Sequence, residues 1–182
     1  LGIIETKKVY HLVTVRGFPL DKVKKGIDVA IKKTQPVTVA FITAKGSFSM
    51  INEAFGDLFA FVVENGFLPA GPPSGIYFDA PGRVPEKELR WELRVPIAGI
   101  CDASGPNEKG LGFRCLEETV VASAIHRGPF SNIGNTYEKL TQWIDKNGYK
   151  ITGPCEEVYL NEPGNTPPAE LMTEVRFPVS NK

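Results

Sequence analysis

The chain has 182 residues, 42% of them apolar, which is enough for one domain or two closely packed half-domains with a true core. Lys+Arg and Asp+Glu number 21 each, and the resulting zero net charge argues against a basic nucleic-acid surface and against polybasic membrane binding. Three cysteines without CxxC spacing and two histidines exclude a zinc ribbon and give a disulfide framework or a histidine-based metal site little material.

Residues 1–27 read as an N-terminal extension. The alternating run VYHLVTV (9–15) predicts one added strand, followed by a Lys-rich stretch. The first residue is Leu1 rather than Met, which suggests trimming or processing upstream. Some 25 residues before the first module are too short for a helix-turn-helix, so no direct nucleic-acid binding is expected. No apolar run approaches the roughly 20 residues of a membrane helix. The chain is expected to be cytoplasmic.

A first module occupies 28–97. It opens with a β-rich run near 37–44, then Gly46 and Phe48, then a helical period in which Ile51, Phe55, Leu58 and Val62 form one stripe. Ser49 is placed to cap the helix, and Asn65-Gly66 to stop it. Two strands follow near 74–79 and 89–96. The stretch 98–109, AGICDASGPNEK, reads as a solvated linker.

A second module, 110–179, repeats the first. At a constant offset of 82, residues 45–97 lie over 127–179 without a gap, and 18 of those 53 positions are identical, too many for coincidence. The elements repeat accordingly: a strand near 119–126, a helix with the stripe Ile133, Tyr137, Leu140 and Ile144, a candidate cap at Ser131, a stop at Asn147-Gly148, and strands near 156–161 and 171–178. Each module is thus strand–helix–strand–strand. The fold class is α+β, with a mainly antiparallel sheet and both helices on one face.

Side chains alternate faces along a strand. Leu89, Trp91, Leu93, Val95 and Ile97, and in the repeat Leu171, Thr173, Val175, Phe177 and Val179, should therefore pack on the helices. Ile76, Phe78, Val158 and Leu160 are assigned to the same side by their apolar character. The face opposite the helices is then left with Tyr77, Tyr159, Glu157, Glu92 and Glu174. That face is either solvated, with weak Glu–Arg pairs, or a groove with tyrosine walls and a carboxylate floor, suited to flat, lipophilic, often cationic molecules. Glu157 stands where the first copy has Gly75, which fits one site at the junction better than two equivalent ones. Cys115 and His126 are isolated candidates for chemistry, more in keeping with filler positions.

The stretches HRGPFSNIGNTYEKLTQWIDKNGYKITGP, EEVYL and PAELMTEVRFPV, with their counterparts AKGSFSMINEAFGDLF, GIYFDAP and ELRWELRVPI, resemble the GyrI-like effector-binding domain, also called the AraC-type or BmrR-type domain. The resemblance covers about 28–179. It implies two modules related by pseudo-two-fold symmetry with a small-molecule groove between them. It places the family's groove carboxylate on Glu157 or Glu174 and its tyrosine on Tyr159. No cofactor and no metal are expected. Three functions follow from it. The first is a stand-alone binder of lipophilic, aromatic or cationic molecules through Tyr77, Glu157, Tyr159, Glu174 and Glu92. The second is a hydrolase of cyclopropane-bearing or similarly strained compounds, with Glu157 or Glu174 as general base and a tyrosine as donor. The third is a protein-interaction module of the gyrase-modulating type.

Overall fold

The computed structural model describes residues 27–99 and 102–182; the strand expected at 9–15, together with His11 and Cys101, lies outside these residues. The first copy contains β1 (Val29–Lys33), β2 (Val37–Lys45), α1 (Ile51–Glu64), β3 (Ser74–Tyr77) and β4 (Arg90–Pro96). The second contains β5 (Leu111–Leu116), β6 (Val120–Arg127), α2 (Gly134–Lys146), β7 (Tyr149–Ile151), β8 (Cys155–Tyr159) and β9 (Met172–Asn181). The expected strand–helix–strand–strand core is present. Each copy also carries a leading strand, β1 or β5, and the second has the short β7 paired to the end of β9.

All neighbouring strands are antiparallel, in the order β1-β6-β9-β8-β3-β4-β2-β5. Exchanging the copies turns β1 into β5, β2 into β6, β3 into β8 and β4 into β9, and reverses this order onto itself. The leading strands are traded, because β1 pairs with β6 of the other copy and β5 pairs with β2. Only residues 34–36 separate β1 from β2, and only 117–119 separate β5 from β6. The stretches 29–45 and 111–127 therefore make one ladder in a constant register, from Val29↔Ala124 to Ile42↔Leu111. Thr34 N–H donates to Thr119 O at 2.9 Å and Thr119 N–H to Thr34 Oγ1 at 2.9 Å, at the middle of that ladder. The sheet bends back on itself there, and neither copy closes without the other.

Each helix packs on its own copy's half of the sheet. Leu58 and Val62 bury against Ala40, Trp91, Leu93 and Val95; Leu140 and Ile144 bury against Ala122, Ala124, Val175 and Phe177. Full burial of such a side chain contributes about 1.5–3 kcal/mol. The assignments of β4 and β9 to the helical face hold, with Leu89, Trp91, Leu93, Val95 and Ile97 all buried, as are Leu171, Thr173, Val175, Phe177 and Val179. The helix stripe divides. Its C-terminal half is core, whereas Ile51, Phe55, Ile133 and Tyr137 are only partly buried.

The helix starts differ from expectation. A 3-10 turn, Phe48–Met50, precedes α1, and the capping side chain is Ser47, whose Oγ accepts Ser49 N–H at 3.2 Å. Ser49 lies inside that turn. In the second copy Pro129 takes the place of Ser47, no side chain caps, and Ser131 is inside the turn Phe130–Asn132. The stops are as expected, with Gly66 and Gly148 at φ 78° and 80°, a conformation that costs glycine little. His126 is a structural residue: Nδ1 meets Thr136 Oγ1 at 2.9 Å and Nε2 meets Pro129 O at 3.2 Å, tying β6 to the start of α2. Cys115 is exposed on β5 and Cys155 is buried. In the linker Ser104 bridges to Phe113, so that segment has some structure.

Candidate functional site: a cavity between the two helices

The middle of the sheet is the β3/β8 pair, over which neither helix sits. The register pairs Ser74 with Val158, Gly75 with Glu157, Ile76 with Glu156 and Tyr77 with Cys155. Shifting every residue by 82 maps this ladder onto itself about a single pair, Gly75↔Glu157. That pair marks the pseudo-two-fold axis.

Antiparallel partners share a face. Gly75 pairs with Leu93, Tyr77 with Trp91, and Glu157 with Val175, all of which belong to the helix-side core. Tyr77, Glu157 and Tyr159 therefore point between the helices, and the expectation that they lie on the opposite face is corrected. Ile76 and Val158 take that opposite face, together with Ser74, Glu92 and Glu174. The reason is that the sheet's bend encloses both of its faces. Ile76 and Val158 are each only 4% exposed, so apolar character could not distinguish one face from the other.

Glu92 and Glu174 consequently lie away from the cavity, in an ionic layer that repeats the exchange of strands. Glu92 accepts from Arg94 Nε at 2.6 Å and from Arg114 of β5 at 3.2 Å. Glu174 accepts from Arg176 at 2.6 Å and pairs with Lys32 of β1. Lys32 and Arg114 are equivalent positions, so each copy lends the other a cation. Burial pushes the Glu174 carboxyl up, but the hydrogen bonds and charges of Arg176 and Lys32 outweigh it, and its pKa falls below the ordinary value. These two carboxylates are neutralised in place.

On the helical side the space between α1 and α2 is a cavity of about 1410 Å³. Its walls are near-equivalent pairs from the two copies: Phe48 and Phe130, Ile51 and Ile133, Phe55 and Tyr137, with Tyr77 and Tyr159 below. The rings meet edge to face, Phe48 on Tyr77 at 5.1 Å, Phe55 on Tyr159 at 5.9 Å and Phe130 on Tyr159 at 5.8 Å. The half-buried front of the helix stripe is therefore a cavity wall. Reading it as core missed this, although the repeated Phe48/Phe130 and the change of Phe55 to Tyr137 were visible signals.

Glu157 sits at the floor, 8% exposed. Tyr137 Oη donates to its Oε1 at 2.6 Å, and Tyr159 Oη donates to Oε2 at a long 3.4 Å. With the Tyr159 proton so directed, Tyr77 donates to Tyr159 across 2.5 Å. The three hydroxyls thus line up as donors toward one carboxylate. Burial raises the Glu157 pKa and the two tyrosine hydrogen bonds only partly oppose it. Burial, and then the nearby Glu157 charge, push the Tyr77 hydroxyl up as well, so it stays protonated. Cys155, also in the lining, is pushed up to about 12 chiefly by burial, which makes it a poor nucleophile.

The axis explains why only one copy has this glutamate. A Cβ on Gly75 would lie 2.9 Å from the hydroxyls of both Tyr77 and Tyr159. A second side chain on the axis does not fit beside the first. Among the described residues no Lys, Arg or His lines the cavity, and its charged groups are Asp79, Glu157 and Glu162. No group of three His, Cys, Asp or Glu residues among them is arranged to hold a metal.

No curated protein sequence matches the chain. Among solved structures it is similar to EcmrR in a cryo-EM structure of an EcmrR–DNA complex, at 25% identity and TM-score 0.72, covering 85% of this chain and 58% of that one. The chain therefore spans a little over half the length of that relative. The crystallised EcmrR C-terminal domain matches at 24% identity and TM-score 0.68, over 86% of this chain and 99% of that one. A hydrolase from Listeria innocua shares the fold at 16% identity and TM-score 0.63, with 85% and 93% covered. The model of the GyrI-like small molecule binding domain matches residues 27–180, and the chain belongs to that family.

Proposed function

We propose that the chain binds a flat, lipophilic organic cation in the cavity between α1 and α2, with Glu157 as its counter-charge. One observation carries this reading: a carboxylate more than nine-tenths buried among aromatic rings, with no cationic side chain lining the same space. A buried charge without an opposite partner is costly, and a ligand cation relieves that cost. The aromatic faces add quadrupole attraction for the same charge. Titration calorimetry with a planar N-alkylquinolinium tests the proposal. Binding to wild type and a 10- to 150-fold loss in Glu157→Gln is expected, from about 1.5–3 kcal/mol for a charge-assisted contact. Equal affinity in the two proteins overturns it.

A second reading has its own observation. The raised Glu157 pKa and the Tyr137 hydroxyl at 2.6 Å are what a general base and a proton donor need. In that case Glu157 takes a proton from water, and the water oxygen bonds to a cyclopropane carbon as the ring carbon–carbon bond to it breaks. That bond's electron pair passes to a conjugated carbonyl oxygen of the substrate, and a tyrosine protonates this oxygen. Ring-opened product from a cyclopropane-bearing substrate, lost in Glu157→Gln, supports hydrolysis; unchanged substrate rejects it. Glu174 has no part in either reading, because it faces away from the cavity.

A further inference from the structure

The cavity's charges are distributed unequally, and the pseudo-symmetry isolates the difference. The three lining carboxylates are Asp79 from the first copy and Glu157 and Glu162 from the second. Asp79 is committed to the fold: its Oδ2 accepts Arg90 N–H at 3.0 Å, and both oxygens pair with the Arg90 guanidinium at 2.8 and 2.9 Å. Its equivalent, Asn161, does the same backbone task by accepting Met172 N–H at 2.9 Å. The turn after β3 or β8 thus needs an acceptor at this position but no net charge, and Arg90 cancels the one that Asp79 brings.

Glu162 is different. It replaces Ala80 of the first copy, lines the cavity, and is held by Asn165 Nδ2 at 2.5 Å, with no ion-pair partner among the described residues. Glu157 replaces Gly75 in the same way. Both uncompensated charges of the cavity therefore come from one copy, where the other has small neutral residues. They lie on a single path, one on β8 at the floor and one in the turn that follows it at the rim. Four residues lie between them, so their Cα atoms are at most about 18 Å apart. The volume, about 1410 Å³, exceeds the roughly 300–1,000 Å³ of an ordinary ligand pocket.

We infer that the site is built for an elongated ligand with two positive centres, one on Glu157 and one on Glu162, its apolar middle against the aromatic walls. The inference rests on the proposal that Glu157 binds a cation, and the test separates the two. The probes are a monocationic N-alkylquinolinium and a bis-quinolinium series joined by about 4–10 methylenes, titrated into wild type, Glu162→Gln and Glu157→Gln. The expected result is that the best bis-cation binds wild type at least about 3-fold tighter than the monocation. Glu162→Gln erases that preference, lowering the bis-cation's affinity by more than the monocation's. Glu162 is in a surface turn, so this variant folds. Equal binding of mono- and bis-cations, or an equal effect of Glu162→Gln on both, overturns the inference; monocation binding that still depends on Glu157 leaves the first proposal standing. If no cation binds, both fall.

Discussion

The two copies share a scaffold and differ where it meets the cavity. Outside it, equivalences are close: Leu58 and Leu140 are both 0% exposed, and Lys32 and Arg114 reach equivalent carboxylates, Glu174 and Glu92, each in the opposite copy. Inside it, the first copy offers Gly75, Ala80 and Phe55, and the second Glu157, Glu162 and Tyr137. A duplication produces a symmetric frame, but a residue on the axis meets its own equivalent. Only one of the two can be large. A single ligand site on the axis is therefore asymmetric for steric reasons, and the charge follows the side that has room for it.

The comparison breaks hardest in the cores. Leu58→Ala and Leu140→Ala should each lose about 2–5 kcal/mol by urea unfolding, since both remove a fully buried side chain. Similar losses support two equivalent cores; a loss under about 0.5 kcal/mol in one copy would refute the equivalence. Next is the charge at the axis. Glu157→Gln should cost about 1.5–3 kcal/mol of cation binding, whereas Glu92→Gln, held by Arg94 and Arg114 on the other face, should leave cation affinity unchanged and reduce stability instead. Gly75→Ala sharpens the steric argument. Crowding two rigid tyrosine hydroxyls should cost about 1–3 kcal/mol of stability, and the same substitution at the open Gly56 should not.

The smallest expected effect is one of pH, and its sign differs between two buried glutamates. Glu157 has a folded pKa above 4.5, so the native state holds its proton more tightly than the unfolded chain. Its contribution to stability is full below about 4.5 and is lost as pH rises through the raised value. Glu174 has a folded pKa below 4.5, so its contribution is present above that value and is lost as pH falls through the lowered one. Unfolding curves against pH should show Glu157→Gln removing a decline on the rising side and Glu174→Gln removing one on the falling side. Cation affinity in wild type should rise with pH through the Glu157 transition and be flat in Glu157→Gln. A wild-type affinity independent of pH across that range contradicts the counter-charge role.

Much of the frame was readable from residue order. The offset of 82 revealed the duplication, the helical period placed Leu58, Val62, Leu140 and Ile144 in the core, and the glycine stops after both helices fell where read. β4 and β9 were legible because their alternation is strict and one face is apolar apart from Thr173. β1 was not, because VAIKK is short and mostly exposed, and its partner is in the other copy. Glu162 was missed because a glutamate in a Pro-Gly turn is, in sequence, an ordinary surface residue.

The sequence by itself therefore determined the repeat, the helices and which side chains share a strand face, because these depend on local period and on self-comparison. It also singled out Glu157 by its mismatch with Gly75. Tertiary structure decided which face of β3 and β8 meets the helices, the exchange of β1 and β5, and the separation of Glu157 from Glu92 and Glu174. Period two assigns residues to faces without saying where each face points. When both faces of a bent sheet are enclosed, only the pairing of Gly75 with Glu157 on the axis, and the helices standing to either side of it, resolves the choice.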